Sequence, residues 1–145
     1  MDNTWVLVAN ASEARLYATE RLGKEMTELR EFLHPEGHEK SINLTSDHSH
    51  GRGPHSGTRG DETVNPKDLE AERFASHLAE ELNKGRSTNA YRRAVLVAAP
   101  HFMGLLNMHL DEHTRELVQH SIKKDYTDYD ARELPEHLKA CIEHH

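Results

Sequence analysis

The residues best equipped for chemistry are three histidines, His48, His50 and His55, interleaved with Gly51-Arg52-Gly53, Ser56-Gly57 and Arg59-Gly60. Two chemistries suit this pattern. Imidazoles close in sequence bind zinc or nickel. A structural zinc site, however, wants four defined ligands, usually including cysteine, and none lies nearby. With 13 histidines in 145 residues, clusters arise from composition alone. His48, His50 and His55 are thus weak metal candidates, and no cofactor is expected. The second chemistry is phosphate binding. Arginine offers a planar fork of donors that matches phosphate oxygens, and glycine lets the backbone come close. Between Gly51 and Gly60 the two arginines meet no acid. The candidate binding residues are therefore Gly51, Arg52, Gly53, His55, Gly57, Arg59 and Gly60.

These residues sit in a segment, 36–65, that lacks the means to build a core. It holds five of the eight glycines and only three aliphatic residues, Ile42, Leu44 and Val64. Unstructured stretches longer than about 15 residues are uncommon in compact domains and are usually functional or disordered. A mobile, contact-making loop is the expectation. Its five acids against three bases, Lys40, Arg52 and Arg59, confine any phosphate contact to the tip.

Other patterns carry less. Arg92-Arg93 and Lys123-Lys124 could join the loop as a positive edge on an acidic body; solvated charge is the commoner role of such pairs. Lys84 and Arg86 suit the carboxyl end of a helix. His109-Leu110-Asp111-Glu112-His113 fits the H-x-x-E-H arrangement of one metalloprotease class. The apolar pattern stops at Leu110, so His113 should fall beyond the helix and the match reads as chance. Two-metal nucleases hold their ions with clustered carboxylates. The run Trp5–Ala9 carries no acid, with Asn10 at its end, so a nuclease is disfavoured. Cys141 has no evident activating partner. Ser12, Ser56 and Ser121 lack a nucleophile elbow. A small pocket near His101, after Ala98-Ala99-Pro100, is a minor candidate.

Composition bounds the rest. A chain of 145 residues fits one domain, 1–145. Net charge is −7, which argues against a broad nucleic-acid face and leaves room for a local one. One cysteine allows no internal disulfide. The first residues, MDNTWVLVANASEAR, lack the basic and apolar regions of a secretory signal. No apolar run approaches the ~18 residues that span a bilayer. A soluble cytoplasmic protein without membrane contact is expected.

The elements that must position these residues follow from periodicity. Thr4–Ala9 is an apolar, β-branched run, hence a buried strand. Ala14–Thr19 alternates. Met26–Leu33 is read as a third strand, because close-set turns favour a meander. Asn65-Pro66 opens a helix with cap and first-position signals, and Gly85 is placed at its end. Leu69, Phe74, Leu78 and Leu82 give it an apolar face. Arg93–Ala99 reads as a central strand covered on both faces. Phe102–Leu110 reads as a helix. Leu117–Tyr126 reads as a strand with Val118 and Ile122 facing inward together. Asp130–Ile142 carries Leu134, Leu138 and Ile142 at helical spacing. The order βββ–loop–αβαβα predicts one α/β domain with a mixed sheet and helices on its faces.

Four stretches bring a family resemblance: TWVLVANASEARLYA (4–18), HPEG (34–37), ERFASHLAEELN (72–83) and VLVAAPHFMGLLNMHL (95–110). Together they resemble the bacterial host attachment proteins, regarded as relatives of the middle domain of eukaryotic and archaeal peptide-chain release factors. The resemblance implies a three-layer α/β/α domain with a five-stranded mixed sheet of ribonuclease-H-like layout, the second strand reversed. In release factors a loop at the corresponding place carries a Gly-Gly-Gln motif that promotes peptidyl-tRNA hydrolysis on the ribosome. Here the only glutamine is Gln119, far from the loop, so that motif is absent. The reading that follows is a ribosome- or RNA-associated domain, not primarily an enzyme, that touches its partner through the Gly/Arg/His loop. The alternatives are a non-catalytic protein-binding adaptor with a stress or host-attachment phenotype and, third, a weak peptidyl-tRNA hydrolase that uses a loop histidine.

Overall fold

The computed structural model describes residues 4–33 and 66–143. The 36–65 segment, with every loop-tip and histidine candidate in it, lies outside the described residues. In chain order the elements are β1 (Thr4–Ala9), β2 (Glu13–Thr19), β3 (Thr27–Leu33), α1 (Pro66–Ser87), β4 (Arg93–Ala98), α2 (Pro100–His109), α3 (Glu112–Leu117), β5 (Val118–Ile122) and α4 (Leu134–Glu143). The strands form one mixed sheet in the order β3-β2-β1-β4-β5. β2 pairs antiparallel with β1 and β3, whereas β1, β4 and β5 run parallel.

The apolar runs explain why β1 and β4 lie at the centre. On β1, Leu7 and Ala9 join one core cluster while Val6 and Val8 join the other. On β4, Leu96 and Ala98 face the first and Val95 and Val97 the second. A strand buried on both faces needs an uninterrupted apolar sequence. The first cluster is completed by α1 (Phe74, Leu78, Leu82) and α2 (Phe102, Met103, Leu106). The second is completed by Leu134 and Leu138 of α4, with Met26 and Tyr17. Each such burial contributes about 1.5–3 kcal/mol, so both faces of the sheet are held.

Three local expectations need correction. The first concerns Gly85, which does not end α1; the helix runs on to Ser87. It ends instead on Asn89, whose φ of 60° is left-handed. Ala90 N–H donates to the Gly85 carbonyl at 2.8 Å and Asn89 N–H to the Arg86 carbonyl at 3.0 Å. These are the two bonds of a Schellman closure, with asparagine in the seat glycine usually takes. Gly85 is buried for a different reason. A Cβ there would meet the Trp5 ring at 2.6 and 2.7 Å. The glycine lets the helix lie against the stacked pair Trp5–Tyr91, whose ring centroids are 4.6 Å apart.

The second correction is β5. It occupies only Val118–Ile122, preceded by α3 (Glu112–Leu117), which periodicity alone does not separate. Asp111 caps α3 by accepting the Thr114 amide at 2.7 Å. Residues 123–126 leave the strand because Asp125 captures the Thr127 amide at 3.0 Å and hydroxyl at 2.6 Å, an Asx-type turn. Third, Val118 and Ile122 do not face the same side. Val118 packs on the first cluster and Ile122 belongs to the second. Pairing runs Ala94↔Val118 and then Val95↔His120, so Gln119 is the extra residue of a bulge. A single inserted residue flips the alternation.

α4 is counted from Leu134, yet its start is prepared four residues earlier. Asp130 accepts the Glu133 amide at 2.9 Å, and Glu133 accepts the Asp130 amide at 3.0 Å. This reciprocal pair is a capping box.

A candidate binding cleft at the carboxyl end of the sheet

Strand direction decides which candidates meet. β3 is antiparallel to β2 and thus parallel to β1, so Leu33 ends at the same edge of the sheet as Ala9, Ala98 and Ile122. α1 runs the opposite way. Gly85, near its carboxyl end, lies against Trp5 at the start of β1. One turn apart, Glu81 pairs with Arg30 at 2.7 Å and His77 meets the edge of Phe32 at 5.8 Å. Toward its amino end, Phe74 meets Phe102 at 6.1 Å. Pro66 therefore starts α1 at the carboxyl end of the sheet. Both residues that flank the 34–65 segment, Leu33 and Pro66, share that end with Lys123 and Lys124. His101 sits there too, exposed on the first turn of α2.

Arg92 and Arg93 do not join them. Arg93 opens β4, level with Thr4, so this pair lies at the amino end. A six-residue strand spans about 20 Å, which separates the two basic pairs; they do not make one continuous edge. Lys84 and Arg86 occupy the last turn of α1, also at the amino end, and Arg86 pairs with Asp111 at 3.6 Å.

A cleft of about 660 Å³ opens beside Lys123 and Lys124, lined also by Ser121, Ile122, Tyr126, His137, Ala140 and Cys141. β5 contributes its carboxyl-terminal residues and α4 the opposite wall. The lysine loop is braced from behind. Asn10 Nδ2 donates to Asp125 Oδ2 at 3.3 Å and to Thr127 Oγ1 at 3.1 Å. Arg15 donates to the Thr127 carbonyl at 2.8 Å. Asn10 is fixed in turn by the Ser12 and Glu13 amides, at 2.8 and 3.0 Å. Burial pushes the Asp125 carboxyl up, but the Thr127 hydroxyl and amide and the Asn10 amide group outweigh it and hold it below the usual range. The Asp125 carboxylate is therefore spent on its own turn and on Asn10. Among the described residues, no carboxylate pairs with Lys123 or Lys124.

The aromatic wall is ordered as well. His137 stacks on Tyr129 with centroids 3.9 Å apart and planes 15° apart. Tyr126 meets Tyr129 edge-on at 5.2 Å. The Tyr126 hydroxyl lies 3.0 Å from Cys141 Sγ. That contact, then burial, pushes the phenol up to about 12, so it stays protonated at neutral pH. Tyr126, Tyr129 and His137 are not among the candidates that the sequence offers. One signal is present, the run Lys123-Lys124-Asp125-Tyr126 with Tyr129 close behind, in which two cations are followed by two aromatics.

The H-x-x-E-H residues are divided between two helices. His109 ends α2, with Nε2 3.3 Å from Glu72 Oε2; His113 lies in α3. Asn83 clamps the corner between them, donating to the His109 carbonyl at 3.4 Å and accepting the Asp111 amide at 3.1 Å. Among the described residues, no three or more His, Cys, Asp or Glu gather where a metal ion could be held. No described helix is long and apolar enough to cross a membrane.

Comparison with curated proteins finds no match. A family model described as "Protein required for attachment to host cells" matches residues 5–138. That span takes in all five strands but for Thr4, α1, α2, α3, the β5 wall of the cleft with His137 of the other wall, and the basic pairs at either end of the sheet. The chain belongs to the family of proteins required for attachment to host cells.

Proposed function

We propose that this host-attachment-family protein is a non-enzymatic, RNA-contacting domain that works at the ribosome in the cytoplasm, and that its contact surface is the carboxyl end of the sheet. The observation that carries the reading is the shared placement of Leu33, Pro66, Lys123 and Lys124 at that end. The residues that flank the glycine- and arginine-bearing segment thereby lie at the same end of the sheet as a lysine pair that no described carboxylate neutralises, with β3 and β5 at its two edges. Ligands of open α/β sheets bind outside the carboxyl ends of the strands. Supporting the family relation to release-factor middle domains is the strand order 3-2-1-4-5 with β2 reversed, and α1 and α2 against one core cluster with α4 against the other. We read this as the three-layer, ribonuclease-H-like layout. The −7 net charge keeps the contact local.

Cosedimentation with ribosomes across a salt series tests the proposal. Each phosphate contact on single-stranded RNA contributes about −0.7 to the slope of log K against log salt. Lys123→Ala/Lys124→Ala and Arg52→Ala/Arg59→Ala should each flatten that slope by roughly one. Arg92→Ala/Arg93→Ala, at the other end, should leave it unchanged. Absence of sedimentation at every salt concentration, or equal effects from all three pairs, refutes the reading.

A protein partner is the second reading. It is favoured by β3, an edge strand on which Leu29 is 44% and Leu33 61% exposed. Extended peptides add to such edges. Peptidyl-tRNA hydrolysis ranks third; the expected result is no turnover above buffer, with or without His55→Ala.

A further inference from the structure

We propose that the cleft between β5 and α4 is a nucleotide subsite: it takes one unstacked base against Tyr126 and His137, with the attached phosphate on Lys123 and Lys124. The inference rests on the RNA reading above and gives it a defined pocket. Four observations converge. The volume, about 660 Å³, falls within the roughly 300–1,000 Å³ typical of small-ligand sites. The lining is divided by chemistry, with Ile122, Ala140 and Cys141 apolar, Tyr126 and His137 aromatic, and the two lysines at the loop. The aromatic groups are already oriented, His137 by its stack on Tyr129 and Tyr126 by its contact with Cys141. The lysine loop is fixed by Asn10 and Arg15, so little ordering is needed on binding.

This division of chemistry selects the ligand. Inorganic phosphate would use only the lysines. A fatty acyl chain would leave the stacking groups idle and would need a deeper apolar channel. A nucleotide uses all three surfaces, because every base has a π-face and every linkage carries a charge. Unstacked bases on aromatic side chains with phosphates on cations are the usual means of single-strand recognition. Exposed Ser121, at the rim, offers a hydroxyl to the sugar or the base edge. Asp125 keeps its charge, but its oxygens are engaged by Thr127 and Asn10 and not by the two lysines, whose donors stay open to the phosphate.

The test is amide chemical-shift titration of the full chain with four probes: 5′-AMP, adenosine, inorganic phosphate and hexa-adenylate RNA. The expected result is saturable shifts at Ser121, Tyr126, His137 and Cys141 with 5′-AMP and with hexa-adenylate. Adenosine should bind more weakly, and phosphate should move Lys123 and Lys124 only. Lys123→Ala/Lys124→Ala, at exposed positions, should weaken 5′-AMP binding about tenfold without changing the urea midpoint. His137→Ala should weaken it about fivefold or more; a lowered midpoint in that variant leaves the lysine variant to decide. Equal response to phosphate and 5′-AMP overturns the subsite in favour of a plain anion patch. Hexa-adenylate shifts confined to other residues overturn it while sparing the RNA reading. Saturable 5′-AMP binding in the cleft without ribosome cosedimentation supports the subsite and overturns the RNA reading.

Discussion

Two glycines in helices should respond in opposite directions to the same substitution. Replacing a helix-interior glycine by alanine normally stabilises a protein by about 0.5–1 kcal/mol, because the unfolded chain loses freedom. Gly104 in α2 is exposed, and a Cβ there meets nothing within 4 Å. Gly104→Ala should give that full gain. Gly85 in α1 is buried, and its Cβ would lie 2.6 Å from Trp5 Cζ3, 2.7 Å from Trp5 Cη2 and 3.0 Å from Tyr91 Cε1. Neither ring can retreat freely. They stack at 4.6 Å, and the Tyr91 hydroxyl is tied to the Leu82 carbonyl at 2.6 Å. Overpacking of this kind costs about 1–3 kcal/mol, and a displaced aromatic pair forfeits about 0.5–1.5 kcal/mol more. The clash therefore wins, and Gly85→Ala should destabilise by about 1–3 kcal/mol after the propensity gain is subtracted. In urea, at about 1–3 kcal/mol per molar, the Gly85→Ala midpoint should fall by roughly 1 M. The Gly104→Ala midpoint should rise by a few tenths, with the slope unchanged in both. Trp5→Leu removes the obstructing ring, so the Trp5→Leu/Gly85→Ala pair should show a coupling of about 1 kcal/mol or more. A Gly85→Ala protein as stable as Gly104→Ala would refute the close approach of α1 to β1.

Asn10→Ala should destabilise by about 1–3 kcal/mol, because it removes two donated and two accepted bonds at one corner; thermal unfolding checks this. Acid should also destabilise. The Asp111 carboxyl is lowered by the Thr114 side chain and amide, and that of Asp125 by Thr127 and Asn10 against the pull of burial. Their contribution is present above the ordinary carboxyl value of about 3.9 and is lost as pH falls through the depressed folded values, so Asp125→Asn should flatten the acid limb of stability against pH. Alkali should act from the other side. Burial pushes Tyr91 up to about 12, and the Cys141 contact, with burial, does the same for Tyr126. Stability should hold below the ordinary phenol value of about 10 and decline as pH rises toward the folded values. Tyr91→Phe and Tyr126→Phe should each remove one late-titrating phenol from the ultraviolet titration.

Much of the frame was legible because burial on both faces leaves a plain mark. The runs Trp5–Ala9 and Ala94–Ala98 admit no polar residue, and the spacing of Phe74, Leu78 and Leu82 admits little but a helix. Even the capping box shows as Asp130 and Glu133 three apart. What escaped depends on single residues whose effect is set by their surroundings. Gly85 looks like a helix stop until Trp5 is found packed against it, and Asn89 does the stopping. Asp111 caps a short helix inside a stretch whose histidines suggested a different pattern. The bulge at Gln119 sends Val118 and Ile122 to opposite faces, which no alternation rule foretells. The cleft was hidden for the same reason. Its walls, 121–126 and 137–141, are close in sequence, but Ile122 reaches the α4 side only because the bulge has turned it.

The direction of the strands gives identical residue types different roles. At the amino end, Arg86 pairs with Asp111 and, with Lys84, answers the partial negative charge of the last turn of α1; positive charge there supports the fold. At the carboxyl end, Lys123 and Lys124 pair with no described carboxylate, because the one acid in their turn is committed to Asn10 and Thr127. Positive charge held on a braced loop and paired with no described carboxylate contributes little to stability, and on the proposed reading it serves a ligand. On the proposed reading, an acidic protein carries a local anion contact without a basic face, because the oxygens of the nearest carboxylate are engaged elsewhere. Releasing one of them should show this. Thr127→Val removes the hydroxyl and Asn10→Ala the amide that hold Asp125, so the freed carboxylate would compete for Lys124. On the proposed reading, both variants should weaken 5′-AMP binding although neither residue lines the cleft, and Asp125→Asn added to Thr127→Val should restore it.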